Sequence, residues 1–313
     1  MLVLVFALLC SVPTSAQYGT LLDSTNVTLS ETQIAALERH EPALRAILAQ
    51  VDIQAMTYLS DSLRIKGYLA APKHSAHLPG IIYNRGGNRE FGKWTDEEAA
   101  LRLAKIASWG YVVVASQYRG TAGGEGREEF GGAEVNDVLT LMTLLESYPQ
   151  ADASRIGMYG WSRGGMMTYL ALARTDRVRA AVIGAGLADL LDTLQRRPAM
   201  EHEVYAQLVP QWPTERLRAL AARSALYWPA KLHKRTPILL LHGSADWRVH
   251  PSQTFRMAAA LYAVQHPFRF VFFEGGDHGL TEYREEVDRL AQDWFDRYVR
   301  NQQRWPSLAP HGR

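Results

Sequence analysis

The stretch 155–168, Arg-Ile-Gly-Met-Tyr-Gly-Trp-Ser-Arg-Gly-Gly-Met-Met-Thr, constrains this chain more than any other. The run from Ile156 to Tyr159 is mostly apolar and reads as a short buried strand. A helical run over 166–173 follows, and Gly160-Trp161-Ser162-Arg163-Gly164 lies between the two. The pattern predicts strand, sharp turn and helix, with one serine at the tip. The apex residue of so tight a turn is held in a strained backbone conformation, so its flanking positions need glycine. An ordinary glycine-rich turn between strand and helix has the same local pattern. The rest of the chain decides between the two.

Strand and helix alternate from Ile81 onward. Strands are expected at 81–83, 111–116, 156–159, 180–184, 237–241 and 268–273, and helices at 95–109, 134–147, 251–264 and 282–300. These strands are short and apolar without period-two alternation, so both of their faces are buried. That predicts an α/β fold, a mostly parallel twisted sheet with helices on both faces. A leading hairpin, 53–58 and 63–70, would form its antiparallel edge. Sites in such sheets lie beyond the carboxyl ends of the strands, where the Asn84 loop, Ser162, Asp246 and His278 all fall.

One segment, 187–235, holds no convincing strand. It reads as a helical insertion beside the turn and carries Gln211-Trp212-Pro213 and Tyr227-Trp228-Pro229. Either it is a lid over a pocket or it packs on the flank of the domain. On the lid reading, Trp212 and Trp228 join Tyr83 and Trp161 as the pocket lining.

At the other end, residues 17–52 form a helical extension. Ser30 and Gln33 make a capping-box pattern ahead of an amphipathic run interrupted at Pro42. Leu2 to Leu9 is an apolar run too short to span a bilayer, and small residues at Thr14 and Ala16 follow it. Residues 1–16 are therefore expected to be a signal peptide, although no Lys or Arg precedes the run. The protein is expected to be exported, periplasmic or secreted, with no stable membrane insertion. Residues 53–300 would be the catalytic domain and 301–313 a tail.

The formal net charge is +2 and no basic stripe is present, which argues against nucleic acid. One cysteine, Cys10, allows no intramolecular disulfide and no cysteine-rich metal site. His74 and His77 are bracketed by Pro72 and Pro79 and read as a loop. No metal and no cofactor are expected.

A serine hydroxyl attacks only when a base takes its proton, and the base needs an orienting acid. The Gly-x-Ser-x-Gly turn resembles the nucleophile elbow of α/β-hydrolases, in which the acid and then the histidine follow the serine along the chain. Asp246 sits just past the strand at 237–241, and His278 sits in the glycine-flanked loop after the last strand. Asp277 is the rival acid, but a side chain adjacent to His278 tends to point away from its ring. His242 precedes the acid and reads as a turn residue facing the interior. The oxyanion needs two donors. One is the N–H of Arg163, and the other comes from the loop after Tyr83, at Arg85 or Gly86.

Gly160-Trp161-Ser162-Arg163-Gly164-Gly165, His242-Gly243-Ser244-Ala245-Asp246-Trp247-Arg248-Val249 and Asp277-His278-Gly279 together resemble the prolyl oligopeptidase family of serine peptidases. So does Tyr118-Arg119-Gly120-Thr121 with the later Asp137. The resemblance covers roughly residues 58–300. It implies an α/β-hydrolase fold and hydrolysis through an acyl-enzyme at Ser162, without a cofactor. Arg85 stands where the family carries an aromatic donor, and the segment ahead of the match is too short for the family's β-propeller. Glu125, Glu128 and Glu129 form an acidic cluster with Arg127 among them and read as a solvated loop. The substrate is expected to be a small peptide. The same triad serves esters, so an esterase is the alternative, and a non-catalytic binding protein is a third reading that the intact triad opposes.

Overall fold

The structure is a computed structural model and describes residues 18–210 and 212–312. The expected signal peptide lies outside the described residues.

Nine strands form one sheet: β1 (Leu21–Asn26), β2 (Val51–Ser60), β3 (Leu63–Pro72), β4 (Leu78–Asn84), β5 (Val112–Ser116), β6 (Ala151–Trp161), β7 (Val178–Gly184), β8 (Ile238–Gly243) and β9 (Phe268–Phe273). Their order is β1-β2-β3-β5-β4-β6-β7-β8-β9. The six strands from β5 to β9 in that order pair in parallel, and β1, β2 and β3 join antiparallel at one edge.

The central strands are buried on both faces, as their unbroken apolar sequences require. Val112 and Val114 enter the core on one face of β5, while Val113 and Ala115 enter the core on the other. Ile238 and Leu240 on β8 divide from Leu239 and Leu241 in the same way. Each such side chain removed from water contributes about 1.5–3 kcal/mol. Helices Val135–Ser147 and Arg163–Leu172 cover the first face, and Arg284–Phe295 covers the second.

The expected helical extension is a pair of short helices, Glu31–Leu37 and Leu44–Gln50, separated around Pro42. Ser30 and Gln33 form the capping box in both directions. The extension also contributes β1, which sequence reading missed. Leu21-Leu22-Asp23-Ser24-Thr25-Asn26 has no apolar alternation because its last four residues are exposed and it joins the sheet through its backbone, with Leu21 on the core and Asp23 accepting from Thr57 and Arg64. The edge therefore begins one strand outside the expected hairpin.

The 187–235 segment connects β7 to β8, and its elements among the described residues are all helical, including Leu190–Arg196, Glu201–Tyr205 and Trp212–Ala222. Among the described residues, no helix is long and apolar enough to cross a membrane.

Candidate active site

β6 ends at Trp161 and the Arg163–Leu172 helix begins two residues later. Ser162 sits between them at φ 58° and ψ −123°, a left-handed conformation that costs a non-glycine residue about 1–3 kcal/mol. Its surroundings hold it there. Its N–H donates to Gly184 O at 2.9 Å, and its carbonyl accepts from Gly165 N at 3.0 Å and Leu187 N at 3.2 Å. A methyl group at Gly164 would lie 1.9 Å from Asn84 O, and one at Gly160 would lie 2.2 Å from Gly164 O. Only glycine lets the helix start so close to the strand ends.

Asp246 follows β8 and is buried. Its Oδ1 accepts from the main-chain N–H groups of Arg248 at 2.8 Å and Val249 at 3.0 Å. Its Oδ2 lies 2.8 Å from His278 Nδ1. Burial alone would raise this carboxyl. Contacts with His242 and His278 outweigh burial and hold it well below the usual carboxylate range. Asp246 is therefore an anion that keeps the His278 ring oriented.

His242 stands behind this pair, fully buried on β8. Its Nε2 lies 2.9 Å from Val249 O and 3.1 Å from Asp246 Oδ2, and its Nδ1 lies 2.6 Å from Thr254 Oγ1. Both neighbours of Nε2 only accept, so Nε2 carries a proton, and Thr254 Oγ1 partners Nδ1. The residue faces the interior as its sequence position suggested, but its contact with Asp246 was not foreseen. Asp277 is occupied elsewhere. Its Oδ1 accepts from the N–H groups of Gly279 and Thr281, both at 2.9 Å, and it folds its own loop.

Ser162 and His278 line one cavity of about 500 Å³. The N–H of Arg163 lies in the first turn of its helix, where no earlier carbonyl can take it. Across the cavity, a methyl at Gly86 would stand 3.3 Å from Ser162 Cβ, so the loop after β4 closes on the serine. The Arg85 side chain turns the other way. It donates to Gln117 O at 3.0 and 2.9 Å and to Gly86 O at 3.1 Å, and it is 2 % exposed. Position 85 thus offers the serine a main-chain donor at most.

The Arg163 side chain is also buried. It pairs with Glu128 and Glu134, each at 2.7 Å, and lies over the rings of Tyr118 and Phe130. Glu128 is therefore a buried counter-ion and not part of a solvated loop, because Arg163 supplies the charge that makes its burial affordable.

Of the four expected pocket residues, two line the cavity. Tyr83 stacks on Tyr159 with centroids 4.7 Å apart, and the Trp161 indole N–H donates to His278 O at 2.7 Å. Trp212 and Trp228 do not line it. Trp212 packs in the core against Tyr205, and Trp228 donates to Ala221 O inside the insertion. The insertion reaches the cavity instead through Leu187, Thr193, Arg197 and Met200. Sequence reading also missed the opposite wall, where Leu101 and Arg102 face Val287 and Asp288 of the last long helix. Among the described residues, no cluster of His, Cys, Asp and Glu is arranged to hold a metal ion.

Comparison with known proteins finds relatives among peptidases of one family. The sequence pattern of the prolyl oligopeptidase family matches residues 98–302. The uncharacterized peptidase YtmA of Bacillus subtilis is 29% identical over 245 residues, which cover 77% of this chain and 93% of that protein. Dipeptidyl-peptidase 5 of Porphyromonas gingivalis is 27% identical over 71% of this chain, but the match spans only 34% of its own length. The solved acylaminoacyl peptidase of Pyrococcus horikoshii superposes with a TM-score of 0.71 at 22% identity, covering 86% of this chain and 45% of that one. A puromycin-hydrolyzing peptidase of Mycobacterium tuberculosis gives 0.67 at 24% identity, covering 79% and 39%.

Proposed function

Because the chain belongs to the prolyl oligopeptidase family and is a serine hydrolase of α/β fold, we propose that Ser162, His278 and Asp246 form its catalytic triad and cleave small peptides through an acyl-enzyme. The observation that carries this reading is the 2.8 Å contact between His278 Nδ1 and buried, ionised Asp246, beside a serine held at positive φ on the same cavity.

Each step follows from a group already placed. His278 Nε2 takes the Ser162 proton as Oγ adds to the scissile carbonyl. Asp246 stabilises the imidazolium through Nδ1. The Arg163 N–H and a main-chain N–H of Arg85 or Gly86 stabilise the oxyanion. His278 then protonates the departing amine, and water repeats the sequence on the acyl-enzyme. A cavity of about 500 Å³ fits a few residues of peptide better than a folded chain.

Ser162→Ala is expected to abolish fluorophosphonate labelling and to lower turnover of aminoacyl anilides by roughly 10⁴- to 10⁶-fold. Asp246→Asn should lose about 10⁴-fold, and Asp277→Asn far less. Persistent labelling in Ser162→Ala, or the reverse ranking of the two aspartates, would remove the assignment. An aryl-ester series run beside the anilides separates peptidase from esterase preference.

A further inference from the structure

The basic side chains around the cavity fall into two groups. Most are matched. Lys93 pairs with Glu90 at 2.7 Å, Arg102 with Glu98 at 2.6 Å and Lys105 with Glu41 at 2.8 Å. Arg284 lies one helical turn from Asp288 and acts on its charge. Arg197 and Arg248 differ: among the described residues, neither is paired with a carboxylate. The Arg197 side chain makes one hydrogen bond, from Nη1 to Arg248 O at 3.1 Å. The Arg248 guanidinium makes none and is held only against an indole.

That indole is Trp247, next in sequence to the acid of the triad and 69% exposed. The two guanidinium carbons lie 5.4 and 4.8 Å from its ring centroid. Two like charges are thus gathered on one ring without a counter-ion, and each adds to the positive potential at the other. Most of their N–H groups remain open for a ligand. A second hollow of about 350 Å³ shares Thr193, Arg197 and Arg248 with the catalytic cavity and extends past Trp247. The arginines therefore form the partition between the reacting serine's cavity and a side pocket. A guanidinium presents parallel N–H groups whose spacing matches the two oxygens of a carboxylate.

We propose that Arg197 and Arg248 form an anion subsite that selects peptides bearing a carboxylate beside the scissile bond. This rests on the reading of Ser162 as the nucleophile of a peptidase. The carboxylate has two possible sources, an acidic side chain on the acyl side or the free C-terminus of a short leaving group.

Two matched pairs distinguish them: N-acetyl-Glu-Ala-p-nitroanilide against its Gln counterpart, and a free alanyl tripeptide against its C-terminal amide. The wild-type protein is expected to favour the charged member of one pair by tenfold or more in kcat/KM, mainly through KM. Arg197→Gln and Arg248→Gln should each reduce that preference, and the double variant should bring the ratio to about one. Arg196→Gln, whose arginine is already paired with Asp192, should keep it. Raising ionic strength from about 0.05 to 0.5 M should also shrink it. Ratios near one in both wild-type pairs, or a preference that survives in the double variant, would overturn the proposal.

Binding to Ser162→Ala, followed by titration calorimetry with the same peptides, keeps the two readings apart. Tighter binding of the charged peptide that depends on both arginines supports the subsite even if Ser162 is not the nucleophile. Equal binding of charged and neutral peptides counts against the subsite while leaving Ser162 untouched.

Discussion

Two pairs of arginines border the same cavity under opposite conditions. Arg85 and Arg163 are each 2 % exposed and enclosed by carbonyls, aromatic faces and the carboxylates of Glu128 and Glu134. Arg197 and Arg248 are half-buried, face the cavity and the side pocket, and have no carboxylate partner among the described residues. The first pair holds the elbow and the loop after β4 together. The second contributes little to the fold and is available to a ligand. The residue type is the same in both pairs, so what separates structure from recognition is whether the protein supplies the counter-charge.

Removing a charge from each pair tests that contrast most severely. Arg163→Met strands Glu128 and Glu134 in the interior and is expected to cost about 3–5 kcal/mol in urea unfolding. Arg248→Met should stay within about 0.5 kcal/mol of the parent, because nothing buried loses its partner. Comparable losses in the two variants would erase the distinction.

The tryptophans of the insertion carry the same contrast at the next magnitude. Trp212 is core and is not part of the cavity lining, so Trp212→Ala is expected to cost about 3 kcal/mol in stability. KM for anilides should stay within about twofold. A large KM change at parental stability would return Trp212 to the substrate pocket.

Asp288 sharpens the picture on the opposite wall. Burial raises its carboxyl to about 6, and the cations Lys105, Arg284 and Arg102 only partly offset this. An unfolded aspartate titrates near about 3.9. The folded state therefore holds the proton more tightly, and the stability from this group is complete below about pH 4. It is lost as pH rises through about 6. Partial exposure keeps the effect to about 1–2 kcal/mol. Asp288→Asn should flatten that slope in thermal melts between pH 4 and 7 and should stabilise the protein at pH 7. A slope unchanged by the substitution would mean that the carboxyl is ionised throughout.

Features set by local chemistry were legible in the sequence. The apolar strands announced a buried parallel sheet, and glycine at positions 160 and 164 announced the elbow. The order of Ser162, Asp246 and His278 brought the last two together across 32 residues. Features set by the far end of a long side chain were not legible. Trp212 and Trp228 share composition with pocket aromatics, and only their tertiary neighbours turn them inward. Glu128 looked solvated because Arg163, its partner, is 35 residues away. β1 joins the sheet by its backbone ladder, and its side-chain contacts, Asp23 with Thr57 and Arg64 and Leu21 on the core, make no alternating pattern.

The bond from the Trp161 indole to His278 O has a consequence for manufacture, in the sense a machinist would use the word. The proposed nucleophile and base arrive on separate parts of the chain, and errors in placing separately mounted parts add together. Trp161 is the residue next to Ser162, so the His278 loop is gauged directly from the mount of Ser162. The spacing that the proposed proton transfer needs is then set by one hydrogen bond and not by the sum of two placements.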